Sequence, residues 1–214
     1  MRSVLNLIFA PKCLFCDELC DYQQVCDNCD MLFQRLDGDF SGPHLKRIWF
    51  RRAVSLFSYE GKIKKALCDY KYLRRLEFAS FFSDLIVNRI SLMGNYDCVI
   101  PVPLHRFRLF KRGFNQSSFM ARLISKRLHI PCKYSYLKRC KNIPSQVGLK
   151  RDDRLKNARG AFAVVDKKGM LKGLKVLLID DVITTGSTVN ECAKVLVKNG
   201  DCGIVDVISI ARTL

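Results

Sequence analysis

The sequence predicts an α/β protein, a mostly parallel sheet flanked by helices, with a small four-cysteine module ahead of it. Three observations carry this. Short apolar runs alternate with stretches of helical spacing through the second half of the chain, as strand–helix–strand units do. Two Cys-x-x-Cys pairs stand close together near the start. And 214 residues with 49% hydrophobic content suffice for one buried core plus an accessory unit, too few for two large domains. The expected division is a cysteine module over residues 1–40 and an α/β domain over 51–214.

Cys13 and Cys16 bound the first pair and Cys26 and Cys29 the second, with nine residues between them. Four thiolates on two knuckles make a tetrahedral soft-donor site, which suits Zn²⁺; a redox dithiol and accidental clustering are the alternatives. Cys20 lies between the pairs without a partner at knuckle spacing. The total of eleven cysteines is odd and no secretory leader is read, so reduced thiols are expected. Cys68, Cys98, Cys132, Cys140, Cys192 and Cys202 fall in apolar patterns and read as buried free thiols. No apolar run reaches the length of a membrane span, and a soluble cytoplasmic protein is the expectation.

After the knuckles, "RLDGDFSGPHLKR" is rich in turn formers and reads as a linker, and "AVSLFSYEG" as a strand. Ile63, Ala66, Leu67 and Tyr70 have helical spacing, and a second helical stretch runs from about Phe78 to Ile90. "YDCVIPVP" reads as a short strand stopped by its prolines, followed by a basic loop and a helix that Asn115 is placed to cap. "CKYSYLKR" reads as a strand, "KNIPSQVGLKRDDRLKNARG" as a long polar loop, "GLKVLLID" as a buried strand, "STVNECAKVLVKNG" as a helix ending at Gly200, and "GIVDVISIA" as a final strand.

The stretch "VLLIDDVITTGST", residues 176–188, concentrates the chemistry. Asp180 and Asp181 stand where the buried strand leaves the core, the edge at which ligands bind parallel sheets. Thr184, Thr185, Gly186, Ser187 and Thr188 then empty into a helix N-terminus, whose unpaired N–H groups and positive dipole end favour a phosphate. Gly186 permits the tight turn, the hydroxyls add donors, and the two carboxylates are acceptors suited to vicinal sugar hydroxyls.

That string closely resembles the phosphoribosyl diphosphate signature of type I phosphoribosyltransferases. "IPVPLHRFRLFKRGFNQS" (100–117), "SQVGLKRDDRLKNARGAF" (145–162) and the paired knuckles are similar to the ComF family, and the likeness covers nearly the whole chain. It implies a type I phosphoribosyltransferase fold, phosphoribosyl diphosphate bound with Mg²⁺, and a pyrophosphate-binding loop using Leu104, His105, Arg106, Arg108, Lys111 and Arg112. Gln146 and Arg154 would lie in a flexible loop that closes over substrate. Asn115 is either part of the distinctive "RGFNQ" contact set or only a helix cap, and His105 either a phosphate donor or structural. Transfer to an acceptor would proceed through an oxocarbenium-like carbon, the acceptor being unspecified by the signature.

Charge is distributed unevenly around a net +17. Residues 1–50 hold five Lys/Arg against seven Asp/Glu, whereas residues 101–160 hold sixteen against two. Such a block attracts polyanions. Lys126, Arg127, Lys138, Arg139 and Lys141 lie beyond the diphosphate loop and are candidates for single-stranded DNA. The resemblance links the chain to natural transformation, with incoming single-stranded DNA and competence proteins such as a helicase as partners. A non-catalytic DNA-binding factor that uses the fold as a sensor or scaffold is the second reading.

Overall fold

The computed structural model describes residues 12–20, 24–43, 45–140, 158–166 and 168–214. In chain order, helix α1 (Asp27–Met31) is followed by β1 (Ala53–Ser58), α2 (Gly61–Tyr72), α3 (Glu77–Ile90), β2 (Cys98–Pro101), α4 (Arg106–Arg112), α5 (Gln116–Leu128), β3 (Leu137–Arg139), β4 (Phe162–Val164), β5 (Lys175–Ile183), α6 (Ser187–Gly200) and β6 (Ile204–Arg212). The main sheet has the order β1-β6-β5-β2 and every pairing in it is parallel, so all four strands end at one edge. β3 and β4 form a separate antiparallel pair.

Both faces of the sheet are covered, and strand periodicity divides the core between them. Leu177 and Ile179 of β5 with Ile208 and Ile210 of β6 join the cluster beneath α2, α3 and α5. Val176 and Leu178 with Val205 and Val207 join the other, beneath α6. Ile63, Ala66, Leu67 and Tyr70 are the buried residues of α2, matching the helical spacing of the sequence. Each fully buried side chain of this size contributes about 2 kcal/mol through removal from water.

The cysteine loops are built onto the first face. Cys13, Cys29 and Phe33 belong to the same apolar cluster as Phe57, Ile63 and Phe78. Phe15 lies 4.7 Å from Phe33 and 5.3 Å from Phe78, ring centre to ring centre.

Four expectations change. The stretch expected as a linker runs beside β1, with antiparallel bridges Arg35 to Phe57 and Asp39 to Val54, and so covers a sheet edge that would otherwise offer unpaired backbone groups. The expected basic loop contains α4, a helix with no buried residue; it has no apolar face from which a helical period could be read. The strand read in "CKYSYLKR" shrinks to Leu137–Arg139, paired with a three-residue β4 just beyond the stretch read as a polar loop. Cys140, expected to be buried, is exposed just past the end of β3.

A buried carboxylate anchors the end of the linker. Asp206 of β6 receives Arg51 through two hydrogen bonds and the Tyr96 hydroxyl at 2.7 Å. Loss of Arg51 would leave the buried anion without its counter-charge, and loss of the Tyr96 hydroxyl would leave it one donor short. Burial raises the Tyr96 hydroxyl, and Asp206 raises it further.

Candidate functional site

The sequence reading put the acidic pair at the strand's exit; β5 continues to Ile183, so both aspartates are still in extended backbone. Consecutive strand residues point to opposite faces, and the pair is divided accordingly. Asp181 meets Lys71, from the end of α2, at 2.9 Å. Burial alone would lower the Lys71 ammonium, but Asp181 outweighs it and the net shift is upward. Asp180 accepts the Ser117 hydroxyl at 3.3 Å and the Asp181 N–H at 2.9 Å. Burial, then the charge of Asp181, pushes its carboxyl up to about 7.

Arg139 stands among these groups. Its guanidinium lies 5.4 Å from the Phe162 ring centre, and its buried Nε has no hydrogen-bond partner among the described residues. Burial lowers its pKa, as does Arg108, while Cys192 and Asp180 act in the opposite sense. It is thus part of the surroundings of Asp180, not of an outward solvated face.

Behind the carboxylates comes the turn. Gly186 has φ of +74° and precedes α6, in a conformation costly for any residue with a Cβ. Packing forbids one as well: a Cβ there would lie 2.5 Å from the Phe40 ring. Thr185 and Ser187 are buried and their hydroxyls bond each other at 2.9 Å. Thr184 and Thr188 are half-buried and line a small recess with Asp180, Val182 and Gly186. Two hydroxyls therefore brace the turn and two face the recess.

The residues after β2 approach the same edge. Leu104 is half-buried, and His105 caps α4, its Nδ1 accepting the Phe107 N–H at 3.2 Å. Asn115 caps α5 by accepting the Ser117 N–H at 3.1 Å, and its amide donates to the Val102 carbonyl at 3.1 Å. These two hydrogen bonds pin the β2 exit to the helix carrying Ser117. Arg112 donates to Gln116 Oε1 at 3.0 Å and reaches the Tyr72 hydroxyl at 3.3 Å. Arg106, Arg108 and Lys111 are exposed.

Of the cations singled out for DNA, Lys126 and Lys138 are exposed. Arg127 was assigned no structural duty but has one: it pairs with Asp84 at 2.6 Å and donates to the Ser80 hydroxyl at 3.0 Å, tying α5 to α3. Lys141, Gln146 and Arg154 lie outside the described residues. Lys71, Ser117 and Phe40 were not singled out by the sequence reading. No local signal marks them, since each meets the site from a distant part of the chain.

The second constellation is the cysteine cluster. The sulfurs of Cys13, Cys16, Cys26 and Cys29 all lie within 4.8 Å of one another, a spacing a tetrahedral Zn²⁺ with bonds of about 2.3 Å accommodates. N–H groups of Phe15 and Cys26 point at Cys13 Sγ, each at 3.4 Å. Burial raises the Cys13 thiol, but these hydrogen bonds prevail and bring it down to about 6. Lys62 approaches Cys29 Sγ at 3.3 Å, adding a cation beside the cysteines. The donor set thus fits the metal in number and softness.

Comparison with known proteins agrees with this architecture. Residues 113–213 match the phosphoribosyl transferase domain family. Competence protein F of Haemophilus influenzae is 42% identical over 194 residues, covering 89% of this chain and 80% of that one. DNA utilization protein YhgH of Shigella flexneri is 32% identical over 171 residues, covering 77% and 74%. Competence protein ComFC of Bacillus subtilis is 25% identical over 215 residues, covering 99% and 82%. With a parallel sheet, an acidic pair and threonine turn at its carboxyl edge, and relatives of this extent, the chain belongs to the ComF family of proteins with the phosphoribosyltransferase fold.

Proposed function

We propose that the chain binds phosphoribosyl diphosphate with Mg²⁺ and transfers its phosphoribosyl group to an acceptor. The observation that carries the reading is the succession of Asp180 and Asp181, a turn with two recess-facing threonines, and the N-terminus of α6 at one sheet edge. In this reading the α6 terminus and the hydroxyls of Thr184 and Thr188 hold the sugar's phosphate, and the carboxylates accept its ribose hydroxyls. Arg108 and Arg112 face the diphosphate, and the neighbouring carboxylate and hydroxyl oxygens are hard donors of the kind Mg²⁺ prefers. When bound, Mg²⁺ supplies charge neutralisation on the leaving diphosphate. The chain's own contribution is positioning and preorganised charge around the sugar.

Calorimetry with phosphoribosyl diphosphate and Mg²⁺ tests this. Replacing both Asp180 and Asp181 by Asn should weaken binding by about 3 kcal/mol, the loss of charged hydrogen bonds. Unchanged affinity would remove the sugar site from this edge.

A second activity, binding of single-stranded DNA, is supported by the dense positive charge of residues 101–160 and by relatives named for competence and DNA utilization. A cytoplasmic location and contact with a competence helicase belong to that reading. Structural Zn²⁺ on the four cysteines completes it.

A further inference from the structure

We propose that the outward face of α4 is a stacking platform for single-stranded DNA, formed by Phe107 and Phe110 between Arg106 and Lys111. The proposal rests on the DNA-binding reading above and gives it a surface.

The argument starts from exposure. Phe107 is 65% exposed and Phe110 89%, and they are the exposed phenylalanines among the described residues; the others are buried or half-buried. A single exposed apolar side chain needs no explanation, but two adjacent rings on a helix with no buried residue do. Nothing in the packing of α4 requires them to be aromatic.

Helix geometry orders the face. At about 100° per residue, Arg106, Phe110, Phe107 and Lys111 fall in that order within an arc of about 140°. The rings are three positions apart, which puts their Cβ atoms about 5–6 Å from each other, side by side. A cation stands on either flank. Among the described residues neither the Arg106 nor the Lys111 side chain has an ion pair or hydrogen bond. The remaining cations of the helix lie on the opposite side, where Arg112 holds Gln116 and Tyr72 and Arg108 influences Arg139. One short helix thus divides its charge between the acidic-pair edge and an open aromatic strip.

Chemistry selects the occupant. A protein partner for an apolar face would want the rings without cations on both flanks, whereas a polynucleotide strand wants both: bases stack on the rings and phosphates meet the flanking charges. α4 carries no acidic residue that would repel phosphate. Duplex DNA hides its base faces, so the rings select single strands, and stacking makes the contact tolerant of sequence.

The experiment uses the full chain and fluorescein-labelled oligo(dT), followed by anisotropy across a salt series. Phe107→Leu with Phe110→Leu retains apolar area and removes the rings; it should bind at least about tenfold more weakly, since stacking is worth about 1–3 kcal/mol per base, while the salt slope stays the same. Phe107→Tyr with Phe110→Tyr should bind as the parent does. Arg106→Ala with Lys111→Ala should flatten the slope of log K against log salt by about 1.4, at 0.7 per phosphate contact on single strands. If the parent binds oligo(dT) and the leucine variant binds equally well, the platform is refuted and the DNA-binding reading stands. If the parent shows no binding at low salt, that reading itself falls. If the parent self-associates in sedimentation and the leucine variant alone does not, with DNA affinity unchanged, the face belongs to a second copy and the proposal is overturned.

Discussion

The two faces of the main sheet treat neighbouring aspartates in opposite ways. On the face of α2, α3 and the cysteine loops, Asp181 is already neutralised by Lys71. On the α6 face, Asp180 accepts from a hydroxyl and one N–H among the described residues, and the nearby Arg139 leaves a buried Nε unpaired there. The same residue type, one position apart, is therefore a finished ion pair on one side and a carboxyl held near neutrality on the other. A ligand that brings hydroxyls and charge finds Asp180 with acceptor capacity in hand and Asp181 held in position by Lys71.

The strongest way to break the comparison acts on the first face alone. Cys26→Ser should abolish Zn²⁺ retention, measured as loss of about one metal equivalent, and lower stability by on the order of 5 kcal/mol because metal binding is coupled to folding. Hydrogen exchange should rise in α1, α2 and α3 and remain slow in α6. Equal loosening on both faces, or a metal-free parent with a protected N-terminus, would contradict the asymmetry.

Lys71→Met tests the pair itself. It leaves Asp181 partly buried without its counter-charge, which should cost about 3 kcal/mol in urea unfolding. A cost under about 0.5 kcal/mol would mean that solvent screens this pair as it does surface ones.

The smallest effect sharpens the other side. The Asp180 carboxyl is raised from its ordinary value of 3.8 to about 7, so the native state holds a proton that the unfolded chain releases near pH 4. That contribution is fully present below pH 4 and is lost as pH rises through 7. Asp180→Asn should therefore be more stable than the parent at pH 8, and the gain should vanish near pH 4. A pH-independent difference would show that the native carboxyl titrates normally.

The sequence revealed what is contiguous. β5, the acidic pair, the turn and α6 occupy one uninterrupted stretch, so periodicity and residue type together disclosed both the strand and the edge at which it ends. The knuckles were legible for the same reason: four cysteines at short spacings converge without help from the remainder of the fold. Lys71 was invisible because 110 positions separate it from Asp181, and no pattern within α2 distinguishes it from the lysines facing solvent. α4 escaped notice because an exposed helix leaves no apolar rhythm, and Arg127 was misjudged because its counter-charge sits on another helix. Phe40 lay in a segment whose composition suggested only a connection, yet its ring backs Gly186.

The strand order has a consequence for synthesis. β6 lies between β1 and β5, so the strand made last of the four occupies the interior of the sheet. As the chain leaves the ribosome, β1 and β5 cannot be joined until residues 204–212 have emerged, and pairings of such sequence separation form late and slowly. The bridges from Arg35 and Asp39 protect one side of β1 during that interval, leaving its other side for the final strand. Until β6 is in place, the β2–β5 pair that carries the acidic residues and the β1 strand remain separate halves, so the sheet closes with its final strand.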